Sequence, residues 1–118
     1  MGSLCNCKEL VQIKVEADIG ADPLWCKVCG FNLDMDKMEI SDSLKIQLRS
    51  WINDYGAWIN VDSDSLIVGG ENLEKQHNEI GLRLTEKVIS EIKNKKIVFQ
   101  PSSIYESFGD YTSDEKLI

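Results

Sequence analysis

Cys5-Asn6-Cys7 and Cys26-Lys27-Val28-Cys29-Gly30 decide how this chain is read. These two short runs hold all four cysteines of 118 residues. Two thiols separated by one or two residues can face one ion from a single tight turn. Two such turns brought together complete a tetrahedron with Zn–S distances of about 2.3 Å. Gly30 allows the positive φ that closes the second turn, and backbone N–H groups there can point at the sulfurs and disperse their charge. The eighteen residues between the pairs suit a four-cysteine site. The expectation is a structural zinc site on Cys5, Cys7, Cys26 and Cys29. Iron fits the same four thiolates, and spacing does not separate the two metals.

Disulfides and redox chemistry are the rival uses of the sulfurs. Nothing at the start of the chain reads as a basic segment followed by an apolar run and a cleavage site, so a cytoplasmic setting is expected. Paired cysteines there are metal ligands or redox groups more often than disulfides, and a Cys-x-Cys bridge is strained. Trp25-Cys26-Lys27-Val28-Cys29 superficially resembles the Trp-Cys-x-x-Cys of thioredoxins. In that family a buried strand leads into the motif and a helix starts on it. Here Gly20-Ala21-Asp22-Pro23 precedes it and Gly30-Phe31-Asn32-Leu33-Asp34 follows, which is a poor helix start. A thiol oxidoreductase using Cys26 and Cys29 therefore stands as an opposing reading.

Between the cysteine pairs, Val11, Ile13 and Val15 alternate with Gln12, Lys14 and Glu16, the period of a half-buried strand. Asp18 to Pro23 is a turn by composition. Leu24 and Trp25 re-enter an extended segment, with Trp25 as a cap over the site. Asn32 to Ile40 reads as an acidic connector. Ser41-Asp42-Ser43 offers helix N-cap chemistry with a carboxylate in the first turn. Leu44, Leu48, Trp51, Ile52, Tyr55, Trp58 and Ile59 then fall on one helical stripe, bent near Gly56. Whether Trp51, Tyr55 and Trp58 are core or partly an interface is left open.

Residues 60–70 place Asn60, Asp62, Asp64 and Glu71 in an EF-hand-like frame. Ser65 stands where the calcium loop needs glycine and Asn60 is no carboxylate, so a solvated loop is expected. Glu71 to Asn94 is the longest periodic element, with Leu73, His77, Ile80, Leu84, Val88 and Ile92 on one face and Glu74 away from it. Gly81 on that apolar side costs about 1 kcal/mol against Ala, which implies close approach of another element, the aromatic helix being the candidate. His77, the only histidine, reads first as a core residue. It is also a further candidate ligand, and the centre of a second opposing reading, a metal-dependent hydrolase. Lys93, Lys95 and Lys96 complement a helix end, and Lys96 to Gln100 reads as a strand that adds to the first one. Residues 109–118 read as a disordered tail.

The net charge is −7, and only residues 71–100 carry a positive balance, of +1. Such a chain repels phosphate backbones, which argues against nucleic acid as a partner. No apolar run approaches the roughly eighteen residues that span a membrane. One histidine permits no Ser–His–Asp set, and Gly69-Gly70 lacks the frame of a phosphate loop.

Cys5 and Cys7 with Cys26-Lys27-Val28-Cys29-Gly30 resemble the ligand set of zinc-ribbon proteins, with Cys-x-Cys in place of that family's first Cys-x-x-Cys. The resemblance implies a metal-stapled β-hairpin over residues 5–30. Leu44 to Phe99 loosely resembles small uncharacterised bacterial proteins that pair a Trp-bearing helix with a Glu- and Leu-rich helix carrying an Asn-x-x-Gly step, here Asn78-Glu79-Ile80-Gly81. That resemblance implies a bacterial source. The expected fold is α+β: a zinc-ribbon-like hairpin packed with two amphipathic helices and a short C-terminal strand. Residues 1–108 form one small domain, with a metal-bound lobe over 1–40 and a helical part over 41–100. The expected function is a non-enzymatic protein-interaction module, of adaptor or immunity type, whose acidic surface meets a basic protein partner.

Overall fold

A computed structural model describes residues 7, 9–56, 59–60, 65–66 and 69–102 of the chain. The alternating segment forms strand β1, Gln12–Val15, with Ile13 and Val15 buried and Gln12 and Lys14 half-exposed. A turn with Gly20 at φ 75° returns the chain as β2, Leu24–Cys26. It pairs antiparallel to β1, with Cys26 opposite Ile13 and Leu24 opposite Val15.

The connector that follows is core rather than solvated linker. Leu33, Met35, Met38 and Ile40 are buried around a short 3-10 turn, Met35–Lys37. Asp34 caps that turn by accepting from the Asp36 N–H, and Asp22 Oδ2 accepts from the Met35 N–H at 3.0 Å. The acidic residues therefore serve turns while the apolar ones between them reach the core.

Helix α1, Asp42–Asn53, begins where its cap chemistry places it. Ser41 Oγ accepts from the Leu44 N–H, and Glu91, fifty residues on in the chain, accepts from both the Ser41 N–H and hydroxyl. Leu44, Leu48 and Trp51 are buried. The helix stops short of the expected stripe. The Asp54 and Tyr55 N–H groups turn to the Trp51 and Ile52 carbonyls, and Gly56 takes φ 86°, a left-handed conformation that ends helices. Ile59 instead belongs to β3, Ile59–Asn60, which pairs antiparallel with β4, Ser65–Leu66. A small hairpin thus stands where a loop was expected. Trp58, Asp62 and Asp64 lie outside the described residues.

Helix α2, Gly70–Glu91, starts one residue early and ends three before the expected Asn94. Its buried arc is turned from the sequence stripe. Glu74, Gly81 and Thr85 join His77, Leu84 and Val88 inside, while Leu73 and Ile80 are exposed. The reason is Gly81: the missing side chain admits Trp51 and Phe99 against the helix backbone. Glu74 is accommodated by a hydrogen bond from the Ser102 hydroxyl at 2.6 Å. The lysines do not cap this helix. Its last turn holds no basic residue, and Lys95 Nζ donates to the Leu10 carbonyl.

Strand β5, Lys96–Phe99, pairs parallel to β1, with Ile97 opposite Ile13 and Phe99 opposite Val15, giving the order β2-β1-β5. The fold is α+β, a three-stranded sheet with two helices. Ile13, Val15, Leu24, Leu33, Met35, Leu44, Leu48 and Val88 form a shared core. Each fully buried side chain of this kind contributes about 1.5–3 kcal/mol. The cysteine-bearing hairpin and the helical part are therefore joined by one sheet and one core.

Candidate functional site

The hairpin delivers its sulfurs through local backbone geometry. Cys26 ends β2, its N–H donating to the Phe31 carbonyl, and the Lys27 N–H donates to the Gln12 carbonyl of β1. Gly30 at φ 79° folds the chain back so that its N–H meets the Cys26 carbonyl at 2.8 Å. Asn32 then bridges to Trp25 and the Leu33 N–H donates to the Leu24 carbonyl. The Cys-x-x-Cys-Gly run is thus a tight knuckle closing a narrow hairpin.

Onto this knuckle the arm before β1 places Cys7. The Sγ atoms of Cys7 and Cys26 stand 3.8 Å apart, well beyond the S–S bond length of about 2.05 Å. The ligand atoms of Cys7, Cys26 and Cys29 all lie within 4.8 Å of one another. Cys26 is buried, Cys7 half-buried and Cys29 exposed, so the cluster sits at the rim of the core. Three thiols so gathered have the donor set of a thiolate metal site. Cys5, the fourth expected ligand, lies outside the described residues. Trp25 is half-buried and spends its indole N–H on the Glu16 carbonyl at 2.9 Å, which ties it to the strand end.

His77 is not part of this cluster. It lies on α2 beneath the Trp51 indole, rings stacked with centroids 4.6 Å apart and 13° between planes, and Tyr55 covers it at 5.6 Å. The Trp51 N–H donates to the His77 carbonyl at 2.8 Å. Burial pushes the imidazole pKa down to about 4, against a weaker pull upward from Asp54. At neutral pH the ring is uncharged.

A second feature escaped sequence reading. A groove of about 660 Å³ runs between α1 and α2, lined among others by Ile46, Ser50, Trp51, Asp54, Leu73 and Ile80. Ile46 is 67% exposed and Ile80 45%. Trp51 itself is core, at 4%, so the apolar surface lies beside the aromatic stripe rather than on it. The one signal in the sequence was Ile46, an isoleucine off the Leu44–Leu48–Trp51 face.

These features describe a small acidic α+β protein with a thiol cluster at its hairpin end and an apolar groove between its helices. A family model described as Serratia CdiI immunity protein-like matches residues 11–102, more than three-quarters of the chain, and the chain belongs to that family. A comparison with curated proteins finds no match. The matched span begins after Cys5 and Cys7 and includes Cys26 and Cys29. Among the described residues, no helix is long and apolar enough to cross a membrane.

Proposed function

We infer that this chain is an immunity-type protein that binds a protein toxin and blocks it by direct contact, acting as a single domain over residues 1–108 in the bacterial cytoplasm. The family match over residues 11–102 carries the reading. The charge supports it. A net charge of −7 favours a basic partner, because complementary potentials steer encounter and reject wrong partners. The same charge disfavours nucleic acid.

In this reading the protein is not an enzyme, and its cysteines serve the fold. Cys5, Cys7, Cys26 and Cys29 hold a structural metal, zinc or iron in its place. A site closed by four thiolates keeps no position for water or substrate, which a catalytic metal needs. The metal-hydrolase reading loses support from His77, which is roofed by Trp51 and Tyr55 and stands outside the cysteine cluster.

Co-expression with the toxin domain of the same source strain tests the function. Growth is expected to be restored, and the two chains are expected to co-elute on size exclusion. Growth arrest beside abundant, folded protein would refute the reading.

A further inference from the structure

We propose that Cys7, Cys26 and Cys29 supply three thiolates to one thiophilic divalent cation, zinc in the cell. The inference deepens the structural role given to the cysteines and does not depend on the toxin. It rests on the spacing of the three sulfurs. A tetrahedral zinc with Zn–S bonds of about 2.3 Å has sulfur-to-sulfur edges of about 3.8 Å. Cys7 and Cys26 stand at 3.8 Å, and the three-sulfur cluster stays within 4.8 Å.

The ligands come from two segments that nothing in local sequence would bring together. β1–β2 pairing sets Cys26 opposite Ile13, and the Lys27 N–H to Gln12 carbonyl bond extends that register into the knuckle. The arm leading into β1 runs back over the same end of the sheet. There Leu10 is buried and its carbonyl accepts from Lys95. An ion at this point would pin the arm to the knuckle at the sheet end where β5 also begins. Binding releases the thiol protons, since the metal takes the sulfurs as thiolates. Electrons are not exchanged. Because Cys29 is exposed, the ion can enter from solvent without opening the core.

Elemental mass spectrometry on protein purified without added metal is expected to find one zinc per chain. Cobalt loading of the stripped protein should give thiolate charge-transfer bands and the d–d bands of tetrahedral Co²⁺. Cys29→Ser, at an exposed position, is expected to lose the ion while keeping its far-ultraviolet dichroism. Folded protein without metal, with every thiol open to a thiol reagent and no cobalt spectrum on loading, would overturn the proposal. So would full retention of the ion by Cys29→Ser. Neither readout uses the toxin, so failure here and failure of the immunity reading are separately visible.

Discussion

At His77 a titratable ring has been taken out of water and set beneath an indole. Its pKa of about 4, against the ordinary 6.5, has a consequence for stability whose sign is fixed. Above pH 6.5 the imidazole is neutral whether the chain is folded or not, and it makes no difference. As pH falls from 6.5 toward 4, the unfolded chain takes up a proton that the folded chain resists, so stability is lost across that window. Each tenfold step in proton affinity is worth about 1.4 kcal/mol, which makes the loss of order 3 kcal/mol by pH 4. Carboxylates in any protein titrate near the same range, so the useful quantity is a difference. His77→Phe keeps an aromatic ring beneath Trp51 and removes the proton. Urea unfolding from pH 7 to 4 should show wild type losing about that much relative to His77→Phe. A constant difference would show that the ring is not buried as described.

Between elements, Gly81 is where α1, α2 and β5 meet. A Cβ built there would stand 2.5 Å from Trp51 Cζ2 and 2.7 Å from the Phe99 ring, closer than packed atoms come. Alanine would gain about 1 kcal/mol in helix propensity. The overpacking it forces costs about 1–3 kcal/mol, because both rings must shift. Gly81→Ala should therefore unfold at lower urea, by a net loss of up to about 2 kcal/mol. A rise in stability would place the two rings elsewhere. The need for close approach at Gly81 was legible in the sequence, because a glycine on an apolar helix face has to be repaid. Its second occupant, Phe99, was not, since β5 is placed by sheet pairing rather than by any local pattern. The knuckle at Cys26 to Gly30 and the cap at Ser41 were readable for the converse reason, because both are local chemistry. Leu33 to Ile40 misled because its acidic residues look like a linker while Leu33, Met35, Met38 and Ile40 follow no regular period. The exposure of Leu73 and Ile80, and hence the groove they line, depends on how α2 is rotated. Tertiary packing decides that.

Across the whole molecule, the parts converge on binding. One sheet ties the cysteine-bearing hairpin to the helices, an apolar groove opens between those helices, and the chain carries −7 of net charge. The sequence alone pointed to a protein-interaction module of adaptor or immunity type. Family membership over residues 11–102 narrows this to the immunity type. A blocking protein and an enzyme that destroys its target differ in stoichiometry, and that difference is measurable in one tube. Toxin activity, assayed as purified chain is titrated into a fixed amount of toxin, should fall in proportion and reach zero near one equivalent. Neutralisation by a small fraction of an equivalent would mean turnover, and undiminished activity at excess folded chain would mean no contact; either result contradicts the account.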